Sequence, residues 1–364
     1  ETSLPGYLGC MSATPADPVG DQSEQAIHSA AGDPSAPDDP RIGDLSEGEV
    51  LRRILRRLGE ASSALVGPGD DAAVLAAPDG RVVVTTDTLV HGPDFRLAWS
   101  SPFDLGWKSA AVNLADVAAM GARPTGLVVA LAVPTYLPVS FVEGLAEGLR
   151  AACDALSPGC AVVGGDLTTS DTLTIAVTAF GSLDGLAPVL RSGARAGDVL
   201  AIAGTLGSAA RGLAVLFERG VDAAGQPIPL DNATLTQADA DALAIQLRPA
   251  PPLSAGIDAA RAGATAMMDV SDGLALDASR IAAMSDVSID IDSAALGPNA
   301  RWAIGGGEDH ALLATFAPDA VLPNAFRPIG RVLAAGSVPV LVDGHAWDGR
   351  PGWDPYRDWD ANTG

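Results

Sequence analysis

Hydrophobic and polar positions change their spacing repeatedly along the chain, and each change marks an element. Val50, Ile54, Leu55 and Leu58 recur at three- and four-residue intervals, which predicts an amphipathic helix over 46–59. A Pro78-Asp79-Gly80 turn leads into a strand at 81–86. Ser101-Pro102 is a good N-cap and first-turn pair, and opens a helix that stops at Gly121. A strand follows at 125–133. Ser140-Phe-Val-Glu143 reads as a capping box starting a helix to about Leu156, and strands at 161–164 and 173–182 close this half. The second half opens near Pro188. It predicts a strand at 199–203, a helix at 206–219, a polar stretch around 222–240, a strand at 265–270 and a helix at 272–284. Short strands are expected near 287–291, 311–316, 328–333 and 338–342. The fold class is therefore α/β (α+β), with mixed sheets covered by helices in two domains, 44–186 and 187–364.

Residues 1–43 break this pattern. They are rich in Ala, Pro, Ser, Asp and Gly and carry seven acids against Arg41. Such a segment buries too little apolar surface to offset its ordering entropy, so a disordered acidic tail is expected.

The 364 residues are 48% hydrophobic, ample for packed cores, and carry a net charge of −23. That charge argues against nucleic acid or an anionic membrane face as partner. No apolar run reaches the length of a bilayer span, and Cys10, Cys153 and Cys160 contain no CxxC spacing. A reduced, soluble, cytoplasmic protein is expected. The only lysine is Lys108, preceded by Trp107, with Pro102 where a phosphate loop needs its first glycine. This excludes a Walker A motif.

The placement of acids points to chemistry. Asp70-Asp71 follow Gly-Pro-Gly; Asp87 follows Val82-Val-Val-Thr-Thr86; Asp166 follows Ala161-Val-Val-Gly-Gly165; Asp269 and Asp272 close Ala266-Met-Met-Asp-Val-Ser-Asp272; Glu308-Asp309 follow Ala303-Ile-Gly-Gly-Gly307. Any one of these acids is explained by a turn or a helix cap. Five together predict strand ends converging on one crevice. Like charges about 4 Å apart repel by roughly 4 kcal/mol at an effective dielectric near 20, so the cluster calls for cations. All-oxygen donors favour Mg²⁺, and several Mg²⁺ ions favour a polyphosphate substrate. Zinc is disfavoured, because His28, His91, His310 and His345 lie far apart.

Gly67-Pro-Gly69-Asp-Asp-Ala72 imitates a dinucleotide fingerprint, with Asp87 placed 20 residues beyond Gly67. Two carboxylates would stand where a pyrophosphate must approach, and no room remains for a crossover helix before Pro78. The context is strand–turn–strand. In the helix at 102–120, Lys108, Asn113 and Asp116 form a polar stripe, either a structural hydrogen-bond network or a face turned toward the carboxylate crevice.

Taken together, Gly69-Asp-Asp-Ala-Ala-Val74, Thr85-Thr-Asp-Thr-Leu-Val90, Lys108…Asn113-Leu-Ala-Asp116…Met120-Gly121, Gly164-Gly-Asp166, Arg191-Ser-Gly193, Asp269-Val-Ser-Asp-Gly273 and Gly306-Gly-Glu-Asp309 resemble thiamine-monophosphate kinases. These belong to the aminoimidazole-ribonucleotide-synthetase-like ATP-binding superfamily, and the resemblance spans roughly residues 44–359. It implies that superfamily's two-domain architecture and a homodimer formed through the N-terminal domain. It implies Mg²⁺ ligands at Asp71, Thr85, Thr86, Asp87, Asp116, Asp166, Asp269 and Asp272, and ATP contacts at Gly165, Asp166, Arg191 and Ser271. Glu308 and Trp353 would touch the thiamine moiety of thiamine monophosphate, with Trp353 suited to stacking on its cationic ring. The implied reaction is direct transfer of the ATP γ-phosphoryl group, with no covalent catalytic residue.

Three departures fall on the acceptor side. His91-Gly-Pro-Asp94-Phe95 replaces a segment ending in His-Phe, which puts Asp94 in the substrate position. His310-Ala311 replaces Tyr-Glu, and Gly352-Trp353-Asp354-Pro355-Tyr356 replaces Gly-aromatic-x-His-Phe. The alternatives are another ATP-dependent enzyme of the superfamily, such as an aminoimidazole ribonucleotide synthetase, or a nucleotide-binding protein without turnover.

Overall fold

The computed structural model describes residues 39–60, 64–66 and 72–354. Its strands form a four-stranded sheet, a seven-stranded sheet and a two-stranded hairpin. The smaller sheet has the order β3 (Val83–Val90), β6 (Thr174–Ser182), β4 (Arg123–Val133), β5 (Val162–Thr169). All neighbours are antiparallel except β4 and β5, which run parallel and are joined through α3 (Val139–Leu156). Its two faces differ. Ile175, Val177 and Ala179 are fully buried on one, while Val84, beside them in sequence register, is 59% exposed on the other.

The larger sheet has the order β13 (His345–Ala346), β12 (Val340–Val342), β9 (Val287–Ile291), β11 (Phe326–Ala334), β7 (Val199–Ala203), β10 (Ala311–Phe316), β8 (Ala266–Val270). Only β12 and β9 pair in parallel. The face carrying Leu200, Ile202, Met268 and Val270 is covered by α7 (Leu274–Ser285) through Ala278 and Ile281. On the opposite face, Ala201, Ala203, Met267, Leu312 and Phe316 join the core of the smaller sheet.

The shared element is α2 (Pro102–Ala119), packed against β3, β6, β8 and β10. Its sequence is apolar on nearly every side because it is buried on nearly every side. Small residues set the spacing. A Cβ at Gly106 would stand 2.0 Å from the Leu145 carbonyl oxygen of α3. One at Gly256, on α6 (Leu253–Arg261), would stand 2.0 Å from the Ala118 carbonyl oxygen. Two helices, α4 (Ser208–Arg219) and α5 (Gln237–Leu247), pack together in the second half.

The structure departs from the sequence reading at identifiable places. The ordered chain reaches back into the segment expected to be a tail: Ile42 is buried, and Asp39 accepts hydrogen bonds from the Ser140 amide (3.0 Å) and hydroxyl (2.5 Å). This remote carboxylate takes the place of the expected Ser140–Glu143 box; α3 starts at Val139, and Glu143 pairs instead with Arg57 at 2.8 Å. Both α5 and α6 are absent from the sequence reading, which gave a polar stretch around 222–240 and no element before the strand at 265–270. Residues 1–38 and Asp70-Asp71 lie outside the described residues, but β1 (Ala64–Val66) and β2 (Val74–Leu75) pair antiparallel on either side of the latter, as the strand–turn–strand context requires. No helix among the described residues is long and apolar enough to cross a membrane.

Candidate active site

β3 and β5 run past their acids, so Asp87 and Asp166 lie within strands rather than at strand ends. Alternation then separates the expected ligands. Thr85 and Asp87 point toward α2, where the Thr85 hydroxyl donates to Asp116 Oδ2 (2.8 Å) and the Asp87 amide donates to Asn113 Oδ1 (3.0 Å). Asn113 also donates to the Ser109 carbonyl at 2.9 Å, so it is a structural tie between helix and strand. Thr86 points to the open face, donating to the Val177 carbonyl at 2.9 Å and accepting from Thr178 at 3.3 Å.

Asp269 reaches the same side of α2 from β8. It is buried, and its Oδ2 lies 3.1 Å from His310 Nδ1. Among the described residues, His310 Nε2 is buried without a hydrogen-bond partner. Burial, followed by the charges of Asp269 and Asp87, pushes the Asp116 carboxyl up to about 7. The same causes raise Asp87: first burial, then Asp269, Asp272 and Glu308 against the opposing pull of His310. These carboxylates repel one another across a site with little positive charge.

Asp272 stands at the edge of this group. Its Oδ2 accepts from Arg280 Nη2 at 2.6 Å, and the same arginine pairs with the fully buried Asp277. Asp277 was not foreseen from sequence. Burial pushes its carboxyl up to about 7 although Arg280 opposes the shift. Ser271 accepts the Glu308 amide on its carbonyl at 2.8 Å. Glu308 has a positive φ of 72° and pairs with Lys108; that pairing and His310 outweigh burial and hold its carboxyl below the usual range. The neighbouring Asp309 does the ordinary work of an acid at a helix start: it accepts from Thr205 Oγ1 (2.8 Å) and from the Ser208 and Ala209 amides at the head of α4.

A cavity of about 890 Å³ opens beside these groups. Asp94, Lys108, Ser271, Asp272, Glu308 and Trp353 line it, together with Trp99, Trp302 and Trp347. Burial raises the Asp94 carboxyl, whose Oδ2 accepts the Val90 amide at 2.7 Å. Trp353 is fixed by its amide on the Asp272 carbonyl (2.9 Å) and carries the Arg350 guanidinium over its ring at 5.4 Å.

The structure therefore brings Thr85, Asp87, Asp116 and Asp269 together, with Ser271, Asp272, Glu308, Asp94 and Trp353 around the adjoining cavity. It does not bring Gly165, Asp166, Thr86 or Arg191 to that cluster within one chain. Asp166 is on β5, three strands from β3 and roughly 14 Å away at ordinary strand spacing, on the face opposite Asp87. Arg191 is exposed, its carbonyl held by Ser285 Oγ at 3.1 Å, beside the first residues of β8 rather than its acid-bearing end. Asp71 lies outside the described residues.

The carboxylates and the Thr85 hydroxyl offer oxygen donors, with the His310 imidazole beside Asp269, and a hard cation suits the oxygens. Among the described residues, no three His, Cys, Asp or Glu side chains close tightly enough to hold a metal by themselves. Mg²⁺ needs no such cage, since it keeps waters and takes up substrate phosphates. The residues present fit it on that basis.

Two mixed sheets thus share a buried helix, with a carboxylate cluster against that helix. A family model described as "AIR synthase related protein, N-terminal domain" matches residues 69–183. Thiamine-monophosphate kinase of Mycobacterium tuberculosis is 42% identical over 340 residues, covering 89% of this chain and 96% of that protein. The crystal structure of thiamine-monophosphate kinase from Stenotrophomonas maltophilia K279a is 34% identical with a TM-score of 0.68, covering 83% of this chain and 98% of that one. A structure described as AaThiL complexed with AMPPCP and TMP is 30% identical with a TM-score of 0.66, covering 86% and 98%. The chain belongs to the thiamine-monophosphate kinase family, and it is an enzyme of the kinase class.

Proposed function

We propose that the chain transfers the γ-phosphoryl group of ATP to the phosphate of thiamine monophosphate, giving thiamine diphosphate and ADP. The observation that carries this reading is the junction of an acidic cluster with an aromatic-lined cavity, in a chain that covers 96% of a 42% identical thiamine-monophosphate kinase. An oxygen of the acceptor phosphate forms the new bond to the γ-phosphorus as the bond to the departing ADP oxygen breaks. That acceptor is already anionic near neutral pH, so no side chain has to remove a proton. The protein's task is positioning and charge neutralisation.

Asp87, Asp116, Asp269 and the Thr85 hydroxyl would hold Mg²⁺, with Asp71, Asp166 and Asp272 as further carboxylates of the set. Bound there, Mg²⁺ supplies neutralisation of phosphate charge that this acidic crevice lacks. Ser271 and Asp94 stand on the cavity wall where the two substrates meet. Trp353 offers a ring to the cationic thiazolium, and the Arg350 guanidinium lies 5.4 Å from the ring centroid.

The same reading includes a homodimer formed through the open face of the smaller sheet. Val82 and Val84 are 55% and 59% exposed there, and Thr86 and Asp166 share the face through the registers Thr86–Thr178–Val128 and Ala130–Asp166. Residues 44–186 and 187–364 would be the two domains, with Gly165 and Arg191 as ATP contacts, in a cytoplasmic protein. The test uses ATP labelled at the γ-phosphorus. Label should appear in thiamine diphosphate, and ADP–ATP exchange should be absent without the acceptor. Exchange with ADP alone would indicate a phosphoenzyme and contradict direct transfer. A monomer mass in light scattering at micromolar concentration would contradict the dimer.

A further inference from the structure

Lys108 is the chain's single lysine, in a sequence with 21 arginines, and it is 5% exposed. Among the described residues it is one of four basic side chains lining the large cavity. The other three lie over indole rings: Arg96 on Trp99, Arg301 on Trp347 and Arg350 on Trp353. Lys108 instead projects from α2, the helix that carries Asn113 and Asp116. Eight residues separate it from Asp116, about 12 Å along the helix axis. One buried helix thus sets a carboxylate against the acidic cluster and an ammonium farther along, where the cavity opens.

A buried ammonium has to be paired. Glu308 forms its ion pair. With the Gln246 amide turned so that its NH₂ donates to the Ala209 carbonyl (3.0 Å), its oxygen accepts from Lys108 Nζ at 3.2 Å. These are two acceptors for three N–H groups. Glu308 pairs with Lys108 from a backbone of positive φ, its amide donating to the Ser271 carbonyl. The strained backbone and the ion pair thus coincide at one residue of the cavity wall.

Both substrates of the proposed reaction are anions, and the cation-binding cluster occupies one end of α2. We propose that Lys108 is a catalytic residue whose ammonium binds the phosphate of the acceptor, with Glu308 and Gln246 as positioning residues that hold it on the cavity wall. This rests on thiamine monophosphate as acceptor. Lys108 remains protonated throughout and makes no covalent bond. This ammonium then contributes to discrimination between thiamine monophosphate and unphosphorylated thiamine.

The test is a double-mutant cycle with Lys108→Met, Glu308→Gln and both together, read as kcat/KM for thiamine monophosphate. Loss of a charged donor to a transferring phosphate should cost about 100-fold or more in each background, with partial recovery in Lys108→Arg. If Lys108 only neutralised Glu308, its removal in the Glu308→Gln background would cost less than about 3-fold, and the proposal would be overturned. A binding measurement serves where a variant turns over too slowly. With a non-hydrolysable ATP analogue present, Lys108→Met should weaken thiamine monophosphate binding and leave thiamine binding unchanged; equal weakening of both contradicts the proposal. Wild-type protein that makes no thiamine diphosphate would remove the underlying reading, and this inference with it.

Discussion

Asp116→Asn separates charge repulsion in the site from ordinary packing. The Asp116 carboxyl is pushed from its ordinary 3.8 up to about 7 by burial and then by Asp269 and Asp87. The folded state therefore holds its proton more tightly than the unfolded chain. The resulting penalty is absent below pH about 4, grows as pH rises, and is complete above about 7. At 1.36 kcal/mol per pH unit, the penalty is about 2 kcal/mol at pH 5.5 and about 4 kcal/mol at pH 8. Asparagine has no such penalty, and its side-chain oxygen still accepts from Thr85. The stability difference between Asp116→Asn and wild type should thus move by about 2 kcal/mol in the variant's favour between these pH values, in urea unfolding with EDTA. Mg²⁺ should stabilise wild type more at pH 8 than at pH 5.5, and the variant much less at either. A pH-independent difference, or equal stabilisation of both proteins by Mg²⁺, would refute the electrostatic reading.

Trp353→Ala should raise the KM for thiamine monophosphate at least several-fold while changing that for ATP little, as steady-state kinetics with each substrate varied will determine; a selective effect on ATP would misplace the acceptor. Gly256→Ala drives a methyl group into the Ala118 carbonyl, and thermal unfolding should register a loss of about 1–3 kcal/mol. Asp309→Ala removes the acceptor at the head of α4 and should cost about 0.5–2 kcal/mol of stability by urea unfolding.

Strands at 199–203, 287–291 and 311–316 were legible in the sequence, because short, mostly apolar segments there are soon followed by glycine, aspartate or proline. The polar stripe on α2 was legible as well, though its parts do different things: Asn113 ties helix to strand, Asp116 joins the acids, and Lys108 faces the cavity. What the sequence hid follows from physics that spacing does not encode. α5 and α6 bury Ala242, Leu243, Ala255 and Ala259, so their packed faces are small, and the acids of α5 and the prolines between the two helices dominate the pattern. The capping of α3 by Asp39 spans 101 residues. Asp87 and Asp166 look alike as acids after Val-rich runs, but strand order and side-chain alternation put them on opposite faces of one sheet.

Formation of thiamine diphosphate with ATP and Mg²⁺ bears most directly on this enzyme's role, measured by chromatography with thiamine monophosphate, thiamine and an unrelated phosphate monoester as parallel acceptors. Product from thiamine monophosphate alone is the expected result. ATP binding without any diphosphate, or phosphorylation of thiamine itself, would contradict it.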